Sequence, residues 1–279
     1  MRLKFLGTGT SVGVPQIGCD CPVCTSADPR DRRRRCGAYV TADDGYSFLV
    51  DTPPELREAC IEHRVFKVDS VLLTHAHMDH VAAFDDVRRF NTINGTKVPC
   101  DPASPGANGR TFRVLGKSMV CHAMPETVEQ MRRIFPYISA EGGKNGLYRP
   151  MIEFDSAEEF ALGSVSARRL AVEHGFPCCG YLFREEGRRK LAYISDCHEI
   201  PESTLELLSG VEVMVLNCLR ERIHPTHLNF EAACRYLDRI GAKRSYLVHM
   251  CHDFTHVQWL EKLAGKNIEP AYDGLEIRL

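Results

Sequence analysis

Apolar residues along the chain gather in short runs that end in small or polar residues, at positions 3–6, 46–50, 68–73, 191–194, 211–216 and 245–248. Runs of this length predict buried strands. Between several of them lie stretches with helical periodicity, at 54–63, 81–90, 125–135, 201–208 and 230–240. Three of these open with proline, whose fixed φ and missing N–H suit the first helical turn. Strands alternating with helices predict an α/β fold. Residues 101–150 interrupt the pattern with 6 Gly, 5 Pro and a local charge of +3, so this segment is expected to be an insertion or lid. No repeat, low-complexity tract or linker divides the 279 residues, and residues 1–279 are read as one elaborated domain.

Composition narrows the classes. With 44% hydrophobic and 26% charged residues the chain is an ordinary globular one. Lys plus Arg total 35 against 37 Asp plus Glu, so no global field draws nucleic acid or an anionic membrane. The apolar start of the chain breaks at Gly7-Thr8-Gly9-Thr10, before a signal-peptide core forms, and a cytoplasmic enzyme is expected. The 13 cysteines are odd in number and have no export signal beside them, which argues against a disulfide framework. Together with 12 histidines they raise the question of metal chemistry.

The run at 68–73 leads into Thr74-His75-Ala76-His77-Met78-Asp79-His80. In extended chain, residues two apart share a face, so His75 and His77 converge on one ion. Asp79 and His80, turning into the next helix, face a neighbouring one. A strand end is also where α/β enzymes place their chemistry. This His-x-His-x-Asp-His pattern resembles the signature of the metallo-β-lactamase superfamily, which implies a four-layer αββα sandwich with a dinuclear metal site at one edge. The resemblance asks for further ligands in chain order, and His174, Asp196 and His249 match them, with Asp196 bridging both ions. Asp51 resembles the family's early aspartate that orients ligands from behind. Read alone, His174 and His249 also fit hydrogen-bonded structural histidines, and Asp196 a helix cap. His63, His122, His198, His224 and His256 fit no ligand slot and are left as surface or core residues.

A second constellation is Cys19-Asp20-Cys21-Pro22-Val23-Cys24. Tight turns gather thiolates on a tetrahedral zinc that needs one more ligand, for which His252 is the candidate and Cys251 the runner-up. Three reduced thiols without metal are the alternative. A Cys-x-Cys-x-x-Cys loop after Gly-Thr-Gly-Thr, with His-x-x-His near the C-terminus, resembles the PhnP-type phosphodiesterases. That resemblance implies cleavage of a cyclic ribose phosphate or a similar small phosphodiester, by a hydroxide activated on two divalent ions (Mn or Zn, manganese favoured) beside one structural zinc. It weakens at about 97–118, where a loop-rich insertion is expected.

His227, in Pro225-Thr226-His227, matches the family's general acid, and Asp79 is counted with it as catalytic. A loop histidine without a chemical role is the alternative. The run Arg32–Arg35 is expected to be solvated. The expected partner is a small phosphodiester, with no membrane and no nucleic acid; a homodimer is left open. Competing readings are an RNA-processing nuclease of the tRNase Z type, a glyoxalase II-type thioesterase and a non-hydrolytic PqqB-like cofactor-biosynthesis protein.

Overall fold

The alternation of apolar runs and helices resolves into two seven-stranded sheets. The computed structural model describes residues 1–104, 108–138 and 150–279. In chain order the first strands are β1 (Arg2–Gly7), β2 (Gly37–Thr41), β3 (Ser47–Val50), β4 (Ser70–Leu72), β5 (Thr96–Pro99), β6 (Phe112–Leu115), β7 (Met119–His122) and β8 (Ile152–Asp155). They are followed by β9 (Glu159–Leu162), β10 (Val165–Ala171), β11 (Cys179–Glu185), β12 (Arg188–Ile194), β13 (Val213–Asn217), β14 (Arg244–Val248), β15 (Ile268–Pro270) and β16 (Glu276–Arg278). The helices are α1 (Leu56–Glu62), α2 (Met78–Val81), α3 (Arg88–Ile93), α4 (Pro125–Ile134), α5 (Glu202–Leu208), α6 (Phe230–Ile240) and α7 (His256–Lys262).

One sheet runs β16-β1-β2-β3-β4-β7-β8 and the other β15-β14-β13-β12-β11-β10-β9. Phe5, Phe48, Val50 and Leu72 of the first meet Tyr181, Phe183, Tyr193, Val215 and Val248 of the second in a buried seam. Residues of α1, α3 and α4 cover the first sheet's outer face, and those of α5, α6 and α7 the second's. This is the αββα sandwich. The inner strands pair parallel, β3-β4-β7 in one sheet and β12-β13-β14 in the other, so their C-terminal ends share an edge. Among the described residues no helix is long and apolar enough to cross a membrane.

Local sequence explains the helices that match expectation. Helix α6 starts where the Asn229 side chain accepts from Ala232 N and stops where Gly241 turns left-handed at φ 63°. The helix expected at 81–90 is instead broken into α2, a 3-10 turn at Phe84–Val87 and α3. Thr52 is the reason: its N–H donates to His80 O and its carbonyl accepts from Ala83 N, which takes both groups out of the helical ladder.

The lid expected at 101–150 is corrected too, because β7 and α4 within it belong to the core, with Cys121 fully buried. What stands apart is a two-stranded hairpin of β5 and β6 with Thr96 opposite Leu115, so the insertion at 97–118 is not mere loop. Averaging Gly and Pro over fifty residues hid the ordered stretch between the two ends. Residues 105–107 and 139–149 of that segment lie outside the described residues.

Candidate functional site

Four strand ends and one short helix deliver the histidine and aspartate side chains to the shared edge. His75 follows β4, His174 follows β10, Asp196 follows β12 and His249 follows β14, while Asp79 and His80 lie on α2. Two sets form. His75 Nε2 is 2.9 Å from His77 Nδ1, and His174 Nε2 is 3.5 Å from the same atom. Across from them His80 Nε2 is 3.2 Å from Asp79 Oδ2, and His249 Nε2 is 3.8 Å from Asp79 Oδ2. Asp196 lies between, its Oδ1 3.2 Å from His80 Nε2 and its Oδ2 3.3 Å from His249 Nε2 and 3.8 Å from His174 Nε2. Donor atoms of His75, His77 and His174, and of Asp79, His80 and His249, lie close enough to hold an ion in each set.

Contacts behind the rings fix which nitrogen faces inward. Asp51 accepts from Thr74 N and Thr74 Oγ1, both at 2.8 Å, so the hydroxyl's proton is spent and its oxygen accepts from His75 Nδ1 at 3.0 Å. His80 Nδ1 donates to Asp51 Oδ2 at 2.7 Å, and His174 Nδ1 donates to Thr226 O at 2.9 Å. Each of these rings is thus held by its Nδ1 and turns Nε2 toward the centre, the orientation in which imidazole binds metal. Asp51 and His249 both adopt left-handed backbone, at φ 64° and 58°, a conformation that non-glycine residues keep only when their surroundings hold it.

Charge is arranged to suit a cation. Burial penalises the Asp196 carboxylate, yet His249 and His80 overcome that and hold it well below the ordinary range. Burial pushes the His75 and His174 imidazoles down, so they are neutral at pH 7. His80 is the exception: burial opposes its charge, but Asp196 and Asp51 raise it well above the usual value. Buried and without a hydrogen-bond partner are His80 Nε2, Asp196 Oδ1, His227 Nδ1 and both ring nitrogens of His249. Such a concentration of orphaned donor atoms is what a cation would satisfy.

His227 enters from the far side. Its Nδ1 is 3.6 Å from Asp196 Oδ2, and its ring stacks on His249 at 4.6 Å between centroids. His224, left unassigned from the sequence, stands beside it at 5.0 Å. A cavity of about 280 Å³ opens there, lined by His198, His224, His227 and Arg235. Another of about 420 Å³ lies over Phe176, which stacks on His77 at 4.5 Å. A larger cavity of about 530 Å³, between α1 and α3, contains none of these ligands and is set aside as remote from the chemistry.

The second constellation also assembles. His252 Nδ1 lies 3.4, 3.5 and 3.3 Å from the sulfurs of Cys19, Cys21 and Cys24. Cys251 is outside the set, buried, with its thiol pushed up to about 12 by burial. The arginine run corrects the sequence reading: Arg33 is 1% exposed, not solvated. Its guanidinium donates to Cys251 O at 2.5 Å and Phe254 O at 2.9 Å and sits 3.7 Å from Asp31. A buried arginine persists only when so satisfied. The run also lies hard against the Gly7-Thr8-Gly9 segment: a Cβ on Gly9 would come within 2.6 Å of Arg33 O, and one on Gly7 would overlap Arg35 O. Only glycine lets these two segments lie so close.

A family model described as a beta-lactamase superfamily domain matches residues 46–250. The chain is 31% identical to an octanoyltransferase of Porphyromonas gingivalis over 99% of its own residues and 51% of that protein, so it spans about half the length of this relative. A solved diphosphatase of the PhnP family is 31% identical, with a TM-score of 0.81 over 100% of this chain and 97% of that one. Zn(2+)-bound PqqB from Methylobacterium extorquens shares the fold at a TM-score of 0.75 and 17% identity, over 100% of both chains. The chain belongs to the metallo-β-lactamase superfamily, and within it to the PhnP family.

Proposed function

We propose that the chain is a metal-dependent hydrolase of small phosphodiesters. The observation that carries this reading is the set of buried atoms on His80, Asp196, His227 and His249 that have no hydrogen-bond partner and lie where the two ligand groups meet. His75, His77 and His174 would hold one divalent ion and Asp79, His80 and His249 the other, with Asp196 shared. Two such ions lower the pKa of a water toward neutrality and polarise a phosphoryl oxygen. Imidazole and carboxylate donors suit manganese, zinc or iron alike. Cys19, Cys21, Cys24 and His252 would close around a structural zinc.

The chain's own residues supply the rest. Asp51 and Thr74 keep the rings of His75 and His80 turned inward. His227, whose Nδ1 is turned to Asp196, would give the departing oxygen its proton from the other ring nitrogen, Nε2. Burial, with His249 beside it, drives this imidazole down to about 3, so the ring is neutral at rest. An anionic diester drawn against it pulls the other way, and protonation then accompanies substrate binding. Covalent catalysis by a thiol is disfavoured: Cys36, Cys178 and Cys197 are held well above the ordinary range by burial and by the charge of Asp196. That the solved PhnP-family relative is a diphosphatase supports a substrate with phosphorus at its centre.

The test is turnover by manganese-loaded protein of a cyclic ribose phosphate, cyclic nucleotides, a phosphomonoester, a precursor tRNA and a thioester. Diesters are expected to be cleaved fastest. Faster monoester or thioester hydrolysis would overturn the phosphodiester assignment, and preference for the tRNA would replace it with RNA processing.

A further inference from the structure

The active-site ligand His249 and the cysteine-cluster ligand His252 lie on one turn, separated only by Met250 and Cys251. That turn is held at several points. Met250 N donates to Thr8 O at 3.1 Å, and Thr10 N donates to Met250 O at 3.3 Å. Arg33 holds the carbonyls of Cys251 and Phe254, which flank His252. The same Arg33 exchanges two backbone hydrogen bonds of 2.8 Å with Val14, and Val14 packs on Val23 and Cys24 inside the cysteine loop. Arg33 thus touches both the loop that carries the thiols and the turn that carries the two histidines. His249 needs such support, because its left-handed backbone at φ 58° relaxes once its surroundings loosen.

We propose that Arg33 is a positioning residue that couples the two clusters, so that filling the cysteine site tightens the hold of the His/Asp site on a divalent ion. The inference rests on the metal reading given above. With the cysteine loop closed, Val14 and Arg33 fix the 249–254 turn and His249 keeps its place opposite Asp79 and Asp196. With the loop open, the turn gains freedom and His249 loses its alignment, at the expense of ion affinity. By linkage the effect is reciprocal.

The test uses whole protein stripped of metal and then reloaded with one equivalent of zinc, which prefers the thiolates. Loss of thiol reactivity of the cluster confirms where it went. Manganese, which takes oxygen and nitrogen donors over thiolate, then reports the other site through its free-ion resonance signal. Manganese is expected to bind at least about fivefold tighter to the zinc-loaded protein than to the stripped one. In Arg33→Met this ratio should fall toward one. Arg33→Lys, which keeps the charge and fewer donors, should fall between and serves if the methionine variant does not fold. Equal manganese affinity with and without zinc in the unaltered protein, or an unchanged ratio in the folded Arg33 variants, would overturn the coupling alone. No manganese binding at all would remove the metal reading and the coupling with it.

Discussion

The cysteine cluster and the His/Asp cluster hang on one turn, yet they are built in opposite ways. The first draws three of its four donors from six consecutive residues on an irregular loop, with Cys19, Cys21 and His252 partly exposed. The second draws seven donors from residues 75 to 249, each set down at a strand end or on a short helix, and most of them buried. Its depth leaves polar atoms without protein partners beside two open cavities. Three thiolates and one imidazole closed on one point suit a brace, whereas imidazoles and carboxylates that leave positions open suit a centre for reaction. Placement therefore suits the first cluster to stabilising the fold and the second to reacting.

The sharpest way to break this comparison is to exchange the consequences. Asp196→Ala should lower turnover by about 10³-fold or more while the thermal midpoint stays near that of the unaltered protein. Cys21→Ala should do the reverse, lowering the midpoint and removing one tightly held zinc of three ions per chain in elemental analysis. The opposite pattern would mean the roles are swapped.

Next in size is His227→Ala, expected to slow an alkyl diester by about 10²–10⁴-fold and a nitrophenyl diester far less, since an activated phenolate leaves without a proton. Equal losses on both, or loss of an ion, would make His227 a ligand or a positioning group. Asp51→Asn should weaken metal affinity by about 10–100-fold in a chelator competition, because the rings of His75 and His80 lose their anchor. An affinity unchanged by that substitution would show that packing alone orients them.

The smallest effect concerns pH. In metal-free protein His75, His174 and His227 have folded pKa values below the ordinary 6.5 or so, with His227 at about 3. Their contribution to stability is complete above about 6.5 and is lost as pH falls toward 3, since the unfolded state binds the protons. Each ring that stays neutral adds a slope of about 1.4 kcal/mol per pH unit across that window, to be read from urea midpoints between pH 7 and pH 4. His80, raised above its ordinary value, contributes with the opposite sign, but the lowered rings outnumber it and the midpoint should fall with acid. A flat profile would mean that these imidazoles take up protons in the fold as they do in the unfolded chain, and a midpoint that rises with acid would mean that they are already protonated there.

Local signals carried the reading a long way. Asn229 and Gly241 mark both ends of α6 in the sequence, and the apolar runs at 46–50 and 191–194 became β3 and the end of β12. Helix α7 is marked in the sequence as well: Thr255 and Gln258 form a capping box directly before the buried Trp259. The break within 81–90 was not legible, because the competitor for the helical hydrogen bonds, Thr52, lies about thirty residues upstream. Nor was the burial of Arg33, whose partners Cys251 and Phe254 are more than two hundred residues away.

By itself the sequence determined the donor types, their order and their spacing, since His-x-His-x-Asp-His and Cys-x-Cys-x-x-Cys are short-range patterns that local backbone geometry brings together. It determined the class of fold through the alternation of apolar runs with helices. Tertiary structure alone decided that His174, Asp196 and His249 reach the same point, because parallel strands end on a common edge only once both sheets are formed. It also decided which nitrogen each ring presents and that one buried arginine touches the segments that carry both clusters. These are contacts between segments far apart in the chain, and no local propensity encodes them.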